Sequence, residues 1–499
     1  MTQSSARPPV TAKEVRSTAP IAPGRGATIV FSITHGFQAR NLLQTDVARL
    51  LLEAGYQLLI VSPAADDAAF RDSLGLPSAA RYVAAHATPG WLANLFAMVR
   101  RYALANPRLN ATYNLFNEMY RTSREPQYVI LRRLNRLAGR FPTLRRLWTR
   151  LEAALISGRS WEPILREADP VLLVTGTPGT EYLDALLLRC TRRLGIPSLC
   201  VVLSWDNLTS KGYMAAVPDR LVVWNERMRA EAVELHDYLP AAVDVAGVAH
   251  FDIYQHRDSH LTKEQICTRL GLEPDRPIVL FGTVSPFLFQ YNHEVARLVA
   301  EAAADGRIQG NAQVVIRLHP QSASPGPYGD VHERYRGLQR RFPGTVVLDI
   351  PAVAASRLQW ALPRDEMRWL ASLLRHSDVL LNVASTLAID AALAGTPVIG
   401  VAFDGAQSLP YERSIRRAYD YTHYHPIVAT GGAPLAESLP ELIELVNRYL
   451  LDPTLDIEGR RRIALEQAWR LDGRSGERVA RAIAAFATGR AGVRTVRAC

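Results

Sequence analysis

The chain has 499 residues, with 58 Lys+Arg against 48 Asp+Glu, 48% hydrophobic and 21% charged residues. At roughly 100–200 residues per domain it holds two or three domains, and its ordinary globular composition excludes a disordered chain, a collagen-like repeat and a coiled coil. The net charge of +10 is almost all arginine, since only Lys13, Lys211 and Lys263 are lysines; that usage, with much Ala and Leu, fits a GC-rich genome. A basic balance permits nucleic acid, an anionic membrane surface or phosphorylated ligands without choosing among them. Cys190, Cys200, Cys267 and Cys499 show no CxxC spacing, which excludes a disulfide scaffold and argues against structural zinc.

Residues 1–26 are Ser/Thr/Pro/Ala/Arg-rich and lack an apolar h-region, so they read as a disordered tail rather than a secretory signal. TIVFSI (28–33), the polar loop THGFQARN, the helical pattern LLQTDVARLLLEAG (42–55) and QLLIVS (57–62) make a βαβ opening with a parallel sheet. The same grammar returns at VLLVTG (171–176), a helix over about 180–194 and SLCVVLS (198–204), followed by the short strands LVVWN (221–225) and VDVAGV (243–248). Residues 27–250 therefore form one doubly wound α/β domain. Long helical patterns over about 89–168, such as WLANLFAMVRRYAL and VILRRLNRLAGRF, read as a helical insertion in it.

Residues 251–276 are the linker, with one short helix ending at Gly271. The pattern then restarts: PIVLFGT (277–283), AQVVIRL (312–318), TVVLDI (345–350), DVLLN (378–382) and PVIGV (397–401) are strands of a second α/β domain over 277–450. Terminal helices near 436–451 and 455–486 follow, and 451–499 is expected to return to the first domain. The longest weakly charged stretch, Asp378 to Phe403, carries Asp390 and the break Gly395-Thr396-Pro397. Strand–helix–strand suits it, whereas a membrane span would bury that carboxylate. The expectation is an intracellular protein with a cleft between two α/β halves, the usual place for a ligand.

Several motifs fall at the ends of these strands. In DVLLNVASTLAIDAALAGTPVIGV (378–401), Ser385 and Thr386 open a helix at a strand's C-terminal end. Small hydroxyls there cap the helix or, with its free N–H groups, bind phosphate; Asp390 one turn on is a candidate for ribose hydroxyls. VVIRLHPQ (314–321) ends its strand in Arg317 and His319-Pro320, placing a His at the crevice edge. SWDNLTSKGYM (204–214) gathers Trp205, Asp206, Asn207 and Lys211 in one loop, either a binding loop or an Asx-turn with a helix cap. THGFQARN offers His35 as a general base, Gly36 for close backbone approach, and Arg40 and Asn41 for an acceptor; a helix entry with a solvent-facing His is the equal alternative. Thr283 and Ser285 in GTVSPF (282–287) are weaker phosphate candidates, and Glu412 in LPYERS is either a donor contact or a surface Glu in a turn. LRRLNRLAGRFPTLRRLWTR (131–150) holds seven arginines and no acid. It reads as an interfacial helix pair on anionic lipid or, more plainly, as a solvated face over a buried stripe. No nucleic-acid module is recognised.

Together these residues resemble the GT-B superfamily of glycosyltransferases, with two Rossmann-like domains facing a cleft. His319-Pro320 and Ser385-Thr386 look like the paired HP and SS/ST motifs of bacterial sialyltransferases, Kdo transferases and CDP-glycerol glycerophosphotransferases, which act on surface polysaccharides. That resemblance implies nucleotide-phosphate binding by His319, Ser385 and Thr386, with Asp390 near the ribose. It also places His35 where inverting GT-B enzymes carry their catalytic His. The acidic D/E-D/E-G motif of the sialyltransferases is missing, and the SWDNLTSKG loop is no part of those families' pattern. The expected activity is glycosyl transfer from a nucleotide-activated sugar to a glycan or lipid-linked hydroxyl, with His35 or Asp206 as base. No metal or other cofactor is expected: Asp66-Asp67, the nearest approach to a DxD motif, lies far from the phosphate motifs. The alternatives are a non-hydrolysing nucleotide-sugar 2-epimerase, a polyol-phosphate transferase of the CDP-glycerol type and a catalytically inactive GT-B scaffold.

Overall fold

A computed structural model describes residues 21–77, 80–105, 110–115, 130, 133–134, 140–323, 331–353, 358 and 360–489. The first sheet contains β1 (Thr28–Ser32), β2 (Gln57–Ser62), β3 (Arg81–Ala84), β4 (Leu172–Thr175), β5 (Ser198–Val201), β6 (Arg220–Val223) and β7 (Val243–Val245). Their spatial order is β3-β2-β1-β4-β5-β6-β7, and every pair is parallel. The second sheet contains β8 (Ile278–Gly282), β9 (Gln313–Arg317), β10 (Val346–Asp349), β11 (Val379–Asn382), β12 (Val398–Val401) and β13 (Leu435–Ala436). Its order, β10-β9-β8-β11-β12-β13, is also wholly parallel. Helices cover both faces of a parallel sheet, so its inner strands are apolar on both sides; β1 and β8 are buried throughout.

Two edge strands escape the sequence pattern. β3, RYVA, has both ends exposed and its middle only half-buried, so it is not the continuous buried run that marks the inner strands, and β13 has only two residues. The segment THGFQARN, expected as a loop, is helical from Gly36: one turn over Gly36–Gln38 runs into a π-helical turn over Ala39–Leu43. A local capping box explains it. His35 Nδ1 accepts the Phe37 N–H, while Gln38 Oε1 accepts the N–H groups of Thr34 and His35. The helix expected over 42–55 accordingly starts at Asp46 and ends at Glu53. The expected tail also ends early. Residues 1–20 lie outside the described residues, but Ala22 is buried and the Gly24 N–H bonds the Ala54 carbonyl at 2.7 Å. No helix among the described residues is long and apolar enough to cross a membrane.

The chain crosses between its two halves twice. The first crossing follows β7 through a 3-10 turn, Ala249–Tyr254, and the helix Lys263–Leu270. The second follows helix Ile457–Ala468, where Trp469 adopts φ +70° and turns the chain toward helix Ser475–Ala487. That last helix lays Val479, Ala480 and Ile483 into the core of the first sheet. The two crossings are tied together by Asp252, whose carboxylate accepts the N–H groups of Ser475 (3.0 Å) and Gly476 (2.7 Å). A carboxylate on two orphan N–H groups at a helix start is a charge-assisted cap. Asp252→Ala is expected to lower unfolding free energy by about 1–2 kcal/mol in a urea titration; an unchanged midpoint would show that the cap does not hold the crossing.

Candidate active site in the interdomain cleft

Ligands of doubly wound sheets bind beyond the strand C-termini where the strand order reverses. Those points lie between β1 and β4 in the first sheet, and between β8 and β11 in the second. The loops after these four strands and after their neighbours β5, β9 and β12 carry the candidate residues.

At the first switch point one buried carboxylate orders both loops. Asp184 accepts from Ser32 Oγ at the end of β1 (2.5 Å), Gln38 Nε2 (3.1 Å), the Thr177 N–H (3.2 Å) and Thr177 Oγ1 (2.6 Å). Gly176 leaves the space that Gln38 fills, since a Cβ there would stand 2.4 Å from Gln38 Cγ. Burial, with the Glu181 charge nearby, pushes the Asp184 carboxyl up to about 7 against the hydrogen bonds from Ser32 and Thr177. Gln38 then fixes the Thr34 and His35 amides, so the His35 ring is held through Gln38 by Asp184.

His35 is not placed as the expected base. Its Nδ1 accepts the Phe37 N–H at 3.1 Å, so the neutral ring carries its proton on Nε2 and has no lone pair left to accept one. Burial, with Arg40 and Lys211 nearby, lowers its pKa to about 4. His35 is thus a neutral N–H donor. Asp206 suits the base role no better. Burial works against its charge, but Lys211 and the Ser210 hydroxyl outweigh that and hold it well below the usual carboxylate range. It accepts from Ser210 Oγ at 2.6 Å and lies 3.5 Å from Lys211 Nζ. The residue that sequence reasoning missed is Glu181, at the end of the loop after β4. Its carboxyl is pushed up by burial, with Lys211 opposing. Lys211 therefore acts on His35, Glu181 and Asp206 together.

The loop after β9, beside the second switch point, repeats the histidine device. His319 Nδ1 accepts the Gln321 N–H at 3.1 Å, and Thr283 Oγ1 accepts the His319 N–H at 2.8 Å. His319 is again neutral, its pKa lowered by burial to about 4, with its proton on Nε2. Thr283 is buried and positions His319; Ser285 donates to Gln321 Oε1 and braces the same turn. Beyond β11, Ala384 adopts φ +42°, a left-handed conformation at a tight strand-to-helix corner. Ser385 Oγ donates to Asn382 Oδ1 at 2.6 Å, and Thr386 sits at the start of helix Leu387–Ala394 without capping it through its side chain. Both hydroxyl residues are half-buried. Glu412 is half-buried in the loop after β12.

Trp360, which no sequence motif marked, stands between the two histidines. Its ring meets His35 edge-on at 4.7 Å and His319 edge-on at 5.7 Å between centroids. Its backbone is left-handed, φ +56°, and its carbonyl lies against Gly36, where a Cβ would stand 2.0 Å away. Gly36 is thus required by the approach of the second half of the chain. Opposite Trp360 the halves meet again: Trp205 is buried edge-on against His423 and Tyr424, Thr209 Oγ1 lies 2.9 Å from His423 Nδ1, and Thr422 bonds Asn110 and Thr112.

Other candidates are engaged inside the protein. Trp205 has no free face for an acceptor, and Asn207 caps Ser204 through its side chain. Asn41 donates to the Leu203 carbonyl. Arg317 is buried between Asp349 and Glu366, which neutralise it, so it does not serve a donor phosphate. Asp390 accepts the Tyr254 hydroxyl at 2.7 Å and is buried, its carboxyl raised to about 6 by desolvation; it faces the crossing segment rather than a ribose. Arg40 is half-buried beside His250 (3.3 Å) and the Met367 sulfur, with Asp390 as its electrostatic partner. In the near-DxD pair, Asp67 caps helix Ala68–Leu74.

With this geometry in hand, the solved structures can be compared. The chain matches Staphylococcus aureus MnaA solved with UDP at TM-score 0.54, with 11% identity over 93% of this chain and 97% of that one. The fold is GT-B. Neisseria meningitidis UDP-GlcNAc 2-epimerase bound to UDP-GlcNAc matches at TM-score 0.52, with 12% identity over 90% of this chain and 97% of that one. A Rickettsia africae glycosyltransferase matches at TM-score 0.49, with 11% identity over 92% and 98%. No family model matches the sequence, and no curated protein matches it. At such identities the likeness is one of fold.

Two outcomes follow from the site. Asp184→Ala strands the donors of Ser32, Gln38 and Thr177, and is expected to cost about 3 kcal/mol of stability in urea unfolding; a change below 0.5 kcal/mol would show, at about that size, that the clamp is not needed. In NMR titrations His35 and His319 are expected to protonate with midpoints near 4, against 6.5 for free histidine. Between these values the unfolded chain binds protons that the folded rings refuse, so stability falls as pH drops from 6.5 toward 4. Midpoints near 6.5, assigned with His35→Asn and His319→Asn, would refute this.

Proposed function

We propose that the protein is a glycosyltransferase that moves a sugar from a nucleotide-activated donor to a hydroxyl acceptor. One observation carries the reading: the His319 turn and the Ser385-Thr386 corner lie beyond β9 and β11, on either side of β8, while His35 and Glu181 stand at the switch point of the other half. Such a pair of sites can hold a diphosphate on one wall of the cleft and an acceptor on the other.

The leaving diphosphate develops negative charge as the bond to the sugar breaks. The His319 Nε2–H, the Thr386 hydroxyl and the start of helix Leu387–Ala394 supply fixed donors and a favourable dipole for it. The neutral state of His319 lets it donate without the desolvation cost of a buried cation. This division of labour gives the charge stabilisation to the protein, so donor binding is proposed to be metal-independent. Glu181 is assigned as the base. Its raised affinity for protons brings it closer to the range where a carboxylate accepts one from a hydroxyl while the new glycosidic bond forms. Lys211 and the His35 Nε2–H then orient the acceptor oxygen.

An epimerase working without an acceptor needs acidic groups around the sugar. At the first wall Glu181 and Asp184 both have a raised proton affinity, but Asp184 is occupied by four donors and Asp206 is held ionised, which leaves a single carboxylate, Glu181, for proton transfer. That favours transfer. The motif resemblance supports a glycan or lipid-linked acceptor in surface-polysaccharide synthesis and an intracellular site of action.

The first test is a thermal-shift panel of UDP, CMP, CDP, GDP and TDP, with and without EDTA, on the wild type and His319→Ala. A ligand at a hundred times its Kd stabilises by about 2.7 kcal/mol. One nucleotide is expected to shift the melting temperature regardless of EDTA, and His319→Ala to lose the shift; no shift by any nucleotide would overturn the reading. With the identified donor, Glu181→Gln is expected to lower kcat by about 100-fold or more while keeping the shift. Conversion of a nucleotide sugar to its 2-epimer without acceptor would replace the transferase by an epimerase.

A further inference from the structure

Helix Pro142–Leu155 is amphipathic in the reverse of the usual sense. A helix on a globular surface turns its apolar stripe inward and its charges to water. Here two charged residues, Arg145 and Glu152, face in. Arg145 is buried in an ion pair with Asp237 at 2.6 Å, which also accepts the Tyr213 hydroxyl. Glu152 is buried between Arg100 and Arg189, at 2.8 Å from each. The outward face carries Leu144, Leu147, Leu151 and Leu155, which recur at helical spacing along one stripe and are 44%, 62%, 45% and 58% exposed. Among the described residues, Phe141 precedes this stripe and is also exposed, and Trp91 of the neighbouring helix Trp91–Tyr102 is 78% exposed.

The orientation is fixed by the inward charges. Rolling the helix over to bury the leucines would withdraw Glu152 from two arginines and Arg145 from Asp237, leaving buried charges uncompensated on the body of the protein. The exposed stripe is therefore a stable feature of this half of the chain. Along the segment that carries it Arg140, Arg150 and Arg159 are exposed, and Glu152, the sole acid between residues 140 and 161, is turned inward.

We infer that the leucine stripe of helix Pro142–Leu155, with the exposed arginines of its segment, is a docking surface for an anionic phospholipid bilayer. An apolar face entering the acyl boundary beneath cationic side chains that meet lipid phosphates is the arrangement of an interfacial helix. The excess of positive charge along this segment favours an anionic surface over a second copy of the chain, which brings no negative charge to it. The surface corrects the plainer expectation for residues 131–150, in which a solvated face covered a buried stripe; residues 131–132 and 135–139 lie outside the described residues. It uses no residue of the cleft, so it stands or falls independently of the transferase reading.

The test is flotation of the full chain with vesicles of phosphatidylcholine alone or with about one-third phosphatidylglycerol, using wild type, Leu147→Glu/Leu151→Glu and Arg140→Glu/Arg150→Glu. The expected result is flotation with anionic vesicles only, reduced about tenfold or more in both double variants, with melting temperature and nucleotide-induced shift retained. Three results would overturn the inference: no flotation of the wild type, flotation unchanged in the leucine variant, or a soluble dimer that the leucine variant dissociates. A leucine variant that loses its melting transition would show instead that the stripe is covered by the chain itself, and would overturn it equally.

Discussion

The cleft is organised around a single buried carboxylate. Asp184 accepts four hydrogen bonds from Ser32, Gln38 and Thr177, and these residues belong to the end of β1, the helical turn after it and the loop after β4. In a low-dielectric interior each of those donors would be costly to leave unpaired. Their convergence on one acceptor fixes where the backbone leaves both strands. Gln38 relays the constraint to the amides of Thr34 and His35, and Gly36 lets Trp360 close against the same turn. A residue with no expected chemical role thus sets the position of one that has one.

The two histidines show how local capping decides chemistry. Each accepts a backbone N–H two residues on through Nδ1, which leaves the proton on Nε2. Burial then keeps both rings neutral. A neutral donor facing a diphosphate suits anion capture; a neutral ring with its acceptor nitrogen engaged does not suit proton abstraction. In the proposed reaction the proton-accepting role falls to Glu181, where burial acts on a carboxylate in the opposite direction. The same desolvation lowers the affinity of imidazole for protons and raises that of carboxylate.

Arginine-rich composition proved to be divided between two uses. Part of it lies inside: Arg100, Arg145, Arg189 and Arg317 are buried and matched by Glu152, Asp237, Asp349 and Glu366. Such pairs anchor helices in one orientation, because breaking one leaves an uncompensated charge. On helix Pro142–Leu155 that anchoring turns leucines outward, a result that no hydrophobic pattern by itself would foretell.

The parallel α/β architecture was legible in the sequence, since strands covered on both faces must be continuous apolar runs such as IVF (29–31), LLIV (58–61) and VLL (379–381). Such runs need no partner to be recognised. The placement of His319, Ser385 and Thr386 at strand ends followed from the same runs. The edge strands were not legible: β3 is half-exposed and no continuous apolar run, and β13 has only two residues. Nor were the fates of Arg317, Asp390 and Arg40, whose charges are answered by Asp349 and Glu366, by Tyr254, and by Asp390 itself, all distant in the chain. Asp184, Glu181 and Trp360 likewise acquire meaning only from neighbours brought by folding. The sequence determined which segments are buried, because burial along a strand is a local property of consecutive residues. Tertiary structure alone decided which polar groups are consumed by the fold and which face the cleft, because that depends on partners that only packing brings within hydrogen-bond reach.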